Sequence, residues 1–242
     1  MSICCNFYVT NTLVFKIGDM KKIAAIIIGL FSIITFSQNI EKHTADFSDL
    51  KTFDGLSVKL IKSDENKAII SGKYADDVML VNKNGLLKIR LRTPRSFNGY
   101  DTYVSLYYKT LHLIDANEGS YVFSEDKIDA IDLEIKAQEG SEIELDIKSK
   151  RLNVRSVSGS EVRIKGTADN QDVVVNSGGV YSAKNCKTLQ TEVSVSAGGS
   201  AKIYATDVAK AIVKAGGNIR IYGNPKLADT KEVLGGSIKI IN

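Results

Sequence analysis

Glycine returns at a nearly fixed interval through the second half of this chain, and that period limits the folds open to it more than any other feature. Turns rich in small residues read "NEGS", "QEGS", "VSGS", "SGGV", "AGGS", "AGGN" and "LGGS". One glycine from each gives Gly119, Gly140, Gly159, Gly178, Gly198, Gly216 and Gly235, with gaps by subtraction of 21, 19, 19, 20, 18 and 19 residues. Three residues beyond each glycine lie Val122, Ile143, Val162, Tyr181, Ala201, Ile219 and Ile238; five beyond lie Ser124, Leu145, Ile164, Ala183, Ile203, Ile221 and Ile240. Between them stand Phe123, Glu144, Arg163, Ser182, Lys202, Arg220 and Lys239. This alternation is that of a strand with one buried face. A second strand precedes each glycine, with Ile114, Ile135, Val154, Val173, Val193 and Ala211 inward, followed two residues on by Ala116, Ala137, Ser156, Val175, Val195 and Val213. The last repeat breaks this register with Thr230 and Glu232, as terminal repeats do.

Two short strands per repeat predict an all-β chain: a right-handed parallel β-helix, or solenoid, of about seven coils. Hairpins in an antiparallel sandwich also place glycines at such intervals. Direction would then reverse at every turn, and nothing would make the same inward register recur. At a solenoid corner glycine meets one of two needs, a positive φ or a place with no room for a Cβ. Stacked at about 4.8 Å, seven coils make a rod about 30 Å long. The coils are assigned to residues 100–242. Residues 38–99 lack the period but alternate in "GLSVKLI" and "LLKIRLR", which predicts a smaller N-terminal β-unit packed on, or continuous with, the solenoid. "TPRSFNGYDTYVSLYY" joins the two parts. The closing strand, "GSIKIIN", is an edge through which copies of the chain can associate.

Residues 20–37 have the plan of a secretory signal peptide: Lys21 and Lys22, an apolar run from Ile23 to Ile34, then Thr35 and Ser37 around Phe36. The run is shorter than the roughly 20 residues of a bilayer span. Residues 1–19 precede it and read as a leader from a start codon placed too early. The mature chain is thus expected in the periplasm, at the cell surface or secreted, with no stable membrane span. It keeps one cysteine, Cys186, since Cys4 and Cys5 fall in the leader. That excludes an intramolecular disulfide and predicts a small buried thiol.

A net charge of +4 gives no ground for nucleic-acid binding. No cofactor, metal site or catalytic constellation is expected. Carboxylates do cluster, at Asp126, Asp129, Asp132, Glu134, Glu139, Glu142, Glu144 and Asp146. A carbohydrate-active β-helix enzyme using them is the alternative reading, since paired carboxylates can cleave glycosides. The plainer one is a solvated face, because Glu142, Glu144 and Asp146 alternate with Ile143, Leu145 and Ile147. His43 and His112 lack partners at matching spacing. The candidate ligand-binding surface is elsewhere, on the outward positions of the last coils: Lys202 and Tyr204, Arg220 and Tyr222, then Lys239. Stacking aligns these cations about 5 Å apart, beside the uncharged Ser200, Asn218 and Ser237. An anionic polysaccharide along the rod would neutralise them and stack on the tyrosines. In the opposing account the stems splay into solvent, lean on the tyrosines and discourage aggregation.

The stretch "FDGLSVKLIKSDENKAIISG", the glycine-rich coils and the closing "IYGNPKLADTKEVLGGSIKI" together resemble the GIN-domain family of the Bacteroidota, labelled autotransporter-adhesin heads. The resemblance covers most of residues 45–242, and "GNPKL...GG" is its most specific part. It implies an exported β-helical domain, adhesin-like and non-enzymatic, and supplies no catalytic residues. Neither a membrane-spanning barrel nor a C-terminal sorting module is evident in this sequence.

Overall fold

The computed structural model describes residues 39–241; the leader 1–19 and the signal-peptide segment 20–37 lie outside the described residues. Gln38–Asn242 forms a compact unit of its own. The chain runs through β1 (Ile40–His43), β2 (Asp49–Thr52), β3 (Ser57–Lys62), β4 (Lys67–Gly72), β5 (Val78–Lys83), β6 (Leu86–Leu91), β7 (Thr102–Tyr108) and β8 (Leu113–Ala116). It continues through β9 (Tyr121–Ala137), β10 (Glu142–Ser156), β11 (Glu161–Val175), β12 (Val180–Ser196), β13 (Ser200–Tyr204), β14 (Val208–Lys214), β15 (Asn218–Tyr222), β16 (Leu227–Val233) and β17 (Ser237–Ile240). From β8 onward every pairing is parallel, the pattern of a β-solenoid of about seven turns.

Strands β9 to β12 are long because each contains both legs of a coil. In β10 the inward residues are Ile143, Leu145 and Ile147 on the first leg and Leu152, Val154 and Ser156 on the second. Two adjacent exposed residues, Lys150 and Arg151, shift the phase of the alternation where the strand bends. Asp169 with Asn170 and Leu189 with Gln190 do the same in β11 and β12. The first legs pair in the order β3, β9, β10, β11, β12, β13, β15, β17, and the second legs in the order β2, β8, β9, β10, β11, β12, β14, β16.

The corners show which need the glycines meet. Each repeat glycine has a φ between 69° and 83°, and the residue before it is left-handed too, as in Ser158 (φ 53°) with Gly159 (φ 72°). A Cβ on Gly140, Gly159, Gly178, Gly198, Gly216 or Gly235 would meet nothing within 4 Å. Conformation, not space, selects these glycines. The N–H of Gly140 donates to the carbonyl of Ser158 (3.1 Å) and that of Gly159 to Ser177 (3.1 Å), so the turns stack as a ladder. At the next residue space is the constraint, joined at Gly217 by a positive φ (130°). There Ser141 and Ser160 are buried and donate to the carbonyls of Ala116 and Ala137, 2.8 Å each. In later coils this position is Gly199 or Gly217, where a Cβ would lie 2.8 Å from Val175 Cγ1 or 2.7 Å from Val195 Cγ1. The second glycine of "AGGS" therefore makes room for a valine below it.

The uneven gaps also have places in the fold. The 21-residue repeat carries extra residues after Phe123, where Glu144 and Asp146 pair with Phe123 and Lys127. The 20-residue repeat has one extra between Ser182 and Asn185, opposite Arg163 and Lys165.

The same turn also occurs at Asp54 and Gly55 (φ 65° and 75°), joining β2 to β3. This coil stacks on the one formed by β8 and β9, with Leu50 beside Ile114 and Val58 beside Val122. Beyond it lies another parallel pair, β6 beside β2 and β7 beside β3, although both come later in the chain. Antiparallel β4 and β5 flank these strands, and β1 pairs with β4. One apolar core runs from Phe47 to Ile221.

Candidate functional site

The shared register brings Lys202, Arg220 and Lys239 together. Lys202 pairs with Arg220 and Arg220 with Lys239, while Tyr204 pairs with Tyr222 in the next outward column. Inward Ile203 and Ile221 are fully buried, which fixes their neighbours' outward orientation. Arg220 and Lys239 are exposed, whereas Lys202 and both tyrosines are half-buried. Ser200, Asn218 and Ser237 form the uncharged column alongside.

The contrast with earlier coils is electrostatic. Lys148 pairs with Asp129 (3.6 Å), Lys127 with Asp146 (3.8 Å), Arg151 with Asp132, and Arg163 with Glu142 (3.1 Å) and Glu161 (2.5 Å). Among the described residues, Lys202, Arg220 and Lys239 have no carboxylate within 4 Å; in these last coils the acid–base contact is Lys226 with Asp207 (2.8 Å). Nor does a cation lie over Tyr204 or Tyr222: the described cation–π contacts involve Tyr74, Tyr107 and Tyr108. The tyrosines instead line an open groove of about 540 Å³ with Lys184, Asn185 and Asn224. Sequence reasoning missed these last three. Lys184 and Asn185 lie in the 20-residue repeat, whose extra residue shifts them out of the aligned register.

The acidic cluster is dispersed. Glu142, Glu144 and Asp146 line the outside of the first leg, while Asp132 and Glu134 lie on the second, beyond the bend. Five of the eight carboxylates, those of Asp129, Asp132, Glu134, Glu142 and Asp146, make ion pairs. Among the described residues no three His, Cys, Asp or Glu are grouped to hold a metal ion, and no helix is long and apolar enough to cross a membrane. His43 and His112 are exposed. Cys186 is fully buried, and burial, helped by the Asp146 carboxylate, pushes its thiol up to about 12. It belongs to the interior, not to a reactive site.

Three comparisons bear on this architecture. The family described as "Putative auto-transporter adhesin, head GIN domain" matches residues 46–225. No curated protein matches the chain. Among solved structures, a "putative adhesin" from Bacteroides fragilis superposes with a TM-score of 0.76 at 20% identity, over 84% of this chain and 96% of its own. A "putative lipid binding protein" from Parabacteroides distasonis gives 0.67 at 18% identity, over 85% and 96%. A "putative adhesin" from Parabacteroides merdae gives 0.64 at 15% identity, over 85% and 96%. At such identities these likenesses establish the shared fold. The family match spans most of the chain and ends within the coils that carry the cationic column: the chain belongs to the GIN-domain head family.

Proposed function

We propose that the chain is an exported, non-enzymatic, adhesin-like binding module that holds an anionic polysaccharide along Lys202, Arg220 and Lys239. One observation carries the reading: three cations occupy successive rungs of one column without acid partners, whereas in the earlier coils Lys127, Lys148, Arg151 and Arg163 each meet a carboxylate. Carboxylate or sulfate groups of an extended glycan would supply the missing charges, and Tyr204 and Tyr222 offer ring faces beside them. The family description and two of the structural relatives named above favour a cell-surface, adhesive role. Purified residues 38–242 should bind anionic but not neutral polysaccharides, with affinity falling as salt rises. A variant carrying Lys202→Glu, Arg220→Glu and Lys239→Glu should fold and lose the binding. Absence of binding by the unaltered chain to every anionic polysaccharide would sink the proposal.

Self-association is a second reading with its own observation. Among the described residues β16 and β17 each pair on one side only, and Leu227, Leu234 and Ile240 are exposed nearby. Sedimentation should then show a concentration-dependent dimer that Lys239→Pro abolishes.

A further inference from the structure

At the other end of the molecule, residues 92–101 present two large aromatic rings to solvent. Phe97 is 63% exposed and Tyr100 65%. Phe97 also has a left-handed backbone (φ 64°), an outlier for a bulky residue that persists only where its surroundings impose it. Here the imposing group is Asp54, itself buried. Its carboxylate accepts the N–H of Phe97 at Oδ1 (3.0 Å) and that of Leu91 at Oδ2 (2.9 Å), while its backbone carbonyl accepts the N–H of Gly99 (2.8 Å). Tyr100 is seated as well: its ring lies against Gly55 and its hydroxyl against Gly119, each too close to admit a Cβ without displacement. Phe97 is therefore held in place by a built support, while Tyr100 lies along the backbone of Gly55 and Gly119 with the rest of its ring exposed.

Beside Phe97 is a recess of about 200 Å³ whose lining includes Lys88, Arg90, Thr93, Ser96 and Glu118. Lys88 and Arg90 are exposed and, among the described residues, make no ion pair; Arg95 nearby pairs with Asp77 at 3.6 Å. Two free cations and two hydroxyl side chains suit a phosphate group, and exposed aromatic rings beside them suit the boundary between headgroups and acyl chains. We infer that the 92–101 loop and this recess form a docking site for an anionic lipid surface, with Lys88, Arg90, Thr93 and Ser96 on headgroup phosphates, Phe97 inserted between lipids and the exposed part of the Tyr100 ring against them. Two unpaired cations beside two exposed rings supply the charge complementarity to an anionic lipid surface. Two carboxylates also line the recess: that of Asp54 is taken up by the N–H groups of Leu91 and Phe97, which leaves Glu118 as the acid whose removal should strengthen docking.

The test is flotation of residues 38–242 with vesicles of phosphatidylglycerol mixed into phosphatidylcholine, against phosphatidylcholine alone. Binding should require the anionic lipid and weaken about fivefold for each of Lys88→Gln and Arg90→Gln. Phe97→Gly, which suits the left-handed backbone, should weaken it without lowering the melting temperature, and Glu118→Gln should raise it. Excess inorganic phosphate should not displace the protein, whereas displacement would reduce the site to a phosphate pocket and overturn lipid docking. The Lys202→Glu, Arg220→Glu, Lys239→Glu variant should float as the unaltered chain does. Loss of flotation in that variant alone, or equal flotation by a Lys88→Gln, Arg90→Gln, Phe97→Gly variant, would also overturn the inference.

Discussion

The coils around β10 and those from β12 onward share one backbone plan but fill and charge it differently. In the earlier coils a buried serine follows the turn glycine and bonds across to a carbonyl, above alanine. In the later ones a glycine stands there, above valine. Serine over alanine and glycine over valine each place three side-chain heavy atoms at the corner, so the filling is kept while its division changes, as close packing requires. On the outside no such rule holds: in the earlier coils Lys127, Lys148, Arg151 and Arg163 meet carboxylates while, among the described residues, Lys150, Arg155 and Lys165 do not, and the later coils align three unpaired cations in one column. Interior changes must be compensated by neighbours, whereas exterior ones need not be. That freedom makes the unpaired column informative about function.

The largest expected effect concerns two buried groups, Cys186 in β12 and Tyr108 in β7. Cys186 has its thiol held at about 12 against an ordinary 9.0, chiefly by burial, and Tyr108 is likewise raised to about 12 from 10.0. Each group must stay neutral in the folded chain. Its contribution is therefore complete below the unfolded value and is lost as pH rises to about 12, from about 9 for the thiol and from about 10 for the phenol. Stability should fall by up to about 1.4 kcal/mol per pH unit for each such group. Urea unfolding at stepped alkaline pH measures this. Cys186→Ala should flatten the fall between the ordinary and shifted thiol values, and an unchanged slope would exclude the thiol as its source.

The second prediction converts a later corner into an earlier one. Gly199→Ser should cost about 1–3 kcal/mol, because its Cβ meets Val175 Cγ1. Val175→Ala alone should also destabilise, by opening a cavity. Together they recreate the serine-over-alanine arrangement, so the double variant should cost less than the sum by at least about 0.5 kcal/mol. Additive unfolding midpoints would show that the two corners are not alternatives at all.

A third substitution separates conformation from space. Gly159→Ala adds a methyl group that meets nothing within 4 Å, yet φ there is 72°. It should still cost about 1–2 kcal/mol through the left-handed backbone alone. A neutral result would remove the conformational explanation of the repeat.

How much of this was legible beforehand follows from what a repeat can transmit. Alternation flanking each glycine fixes which side chains face inward, so the burial of Ile143, Val162 and Ile219 and the alignment of Lys202, Arg220 and Lys239 both follow from register. The turn at Asp54 and Gly55 escaped because β4 to β7 intervene before the next one. No periodicity could reveal that β6 and β7 stack outside β2 and β3, since spatial order there departs from chain order. Lys184 and Asn185 were hidden by a bulge. The Phe97 support was hidden because it depends on the buried Asp54 carboxylate, about 40 residues away in sequence, and the seat of Tyr100 because it is made by Gly55 and Gly119.

The smallest effect tests the exterior. Arg163→Ala removes a partly exposed side chain from Glu142 and Glu161, and screening by water limits its loss to under about 1 kcal/mol. Replacing Lys202, Arg220 and Lys239 by glutamine should have the opposite sign. These cations repel one another along the column and give up no acid partner, so the variant should be more stable by a few tenths of a kcal/mol. Salt is the decisive variable: adding it should weaken both effects and bring both variants toward the unaltered chain. Should the glutamine variant instead be less stable, and remain so at high salt, the column would be contributing through its aliphatic stems. Its cations would then be structural members of the coil, and the contrast on which the glycan reading rests would fail.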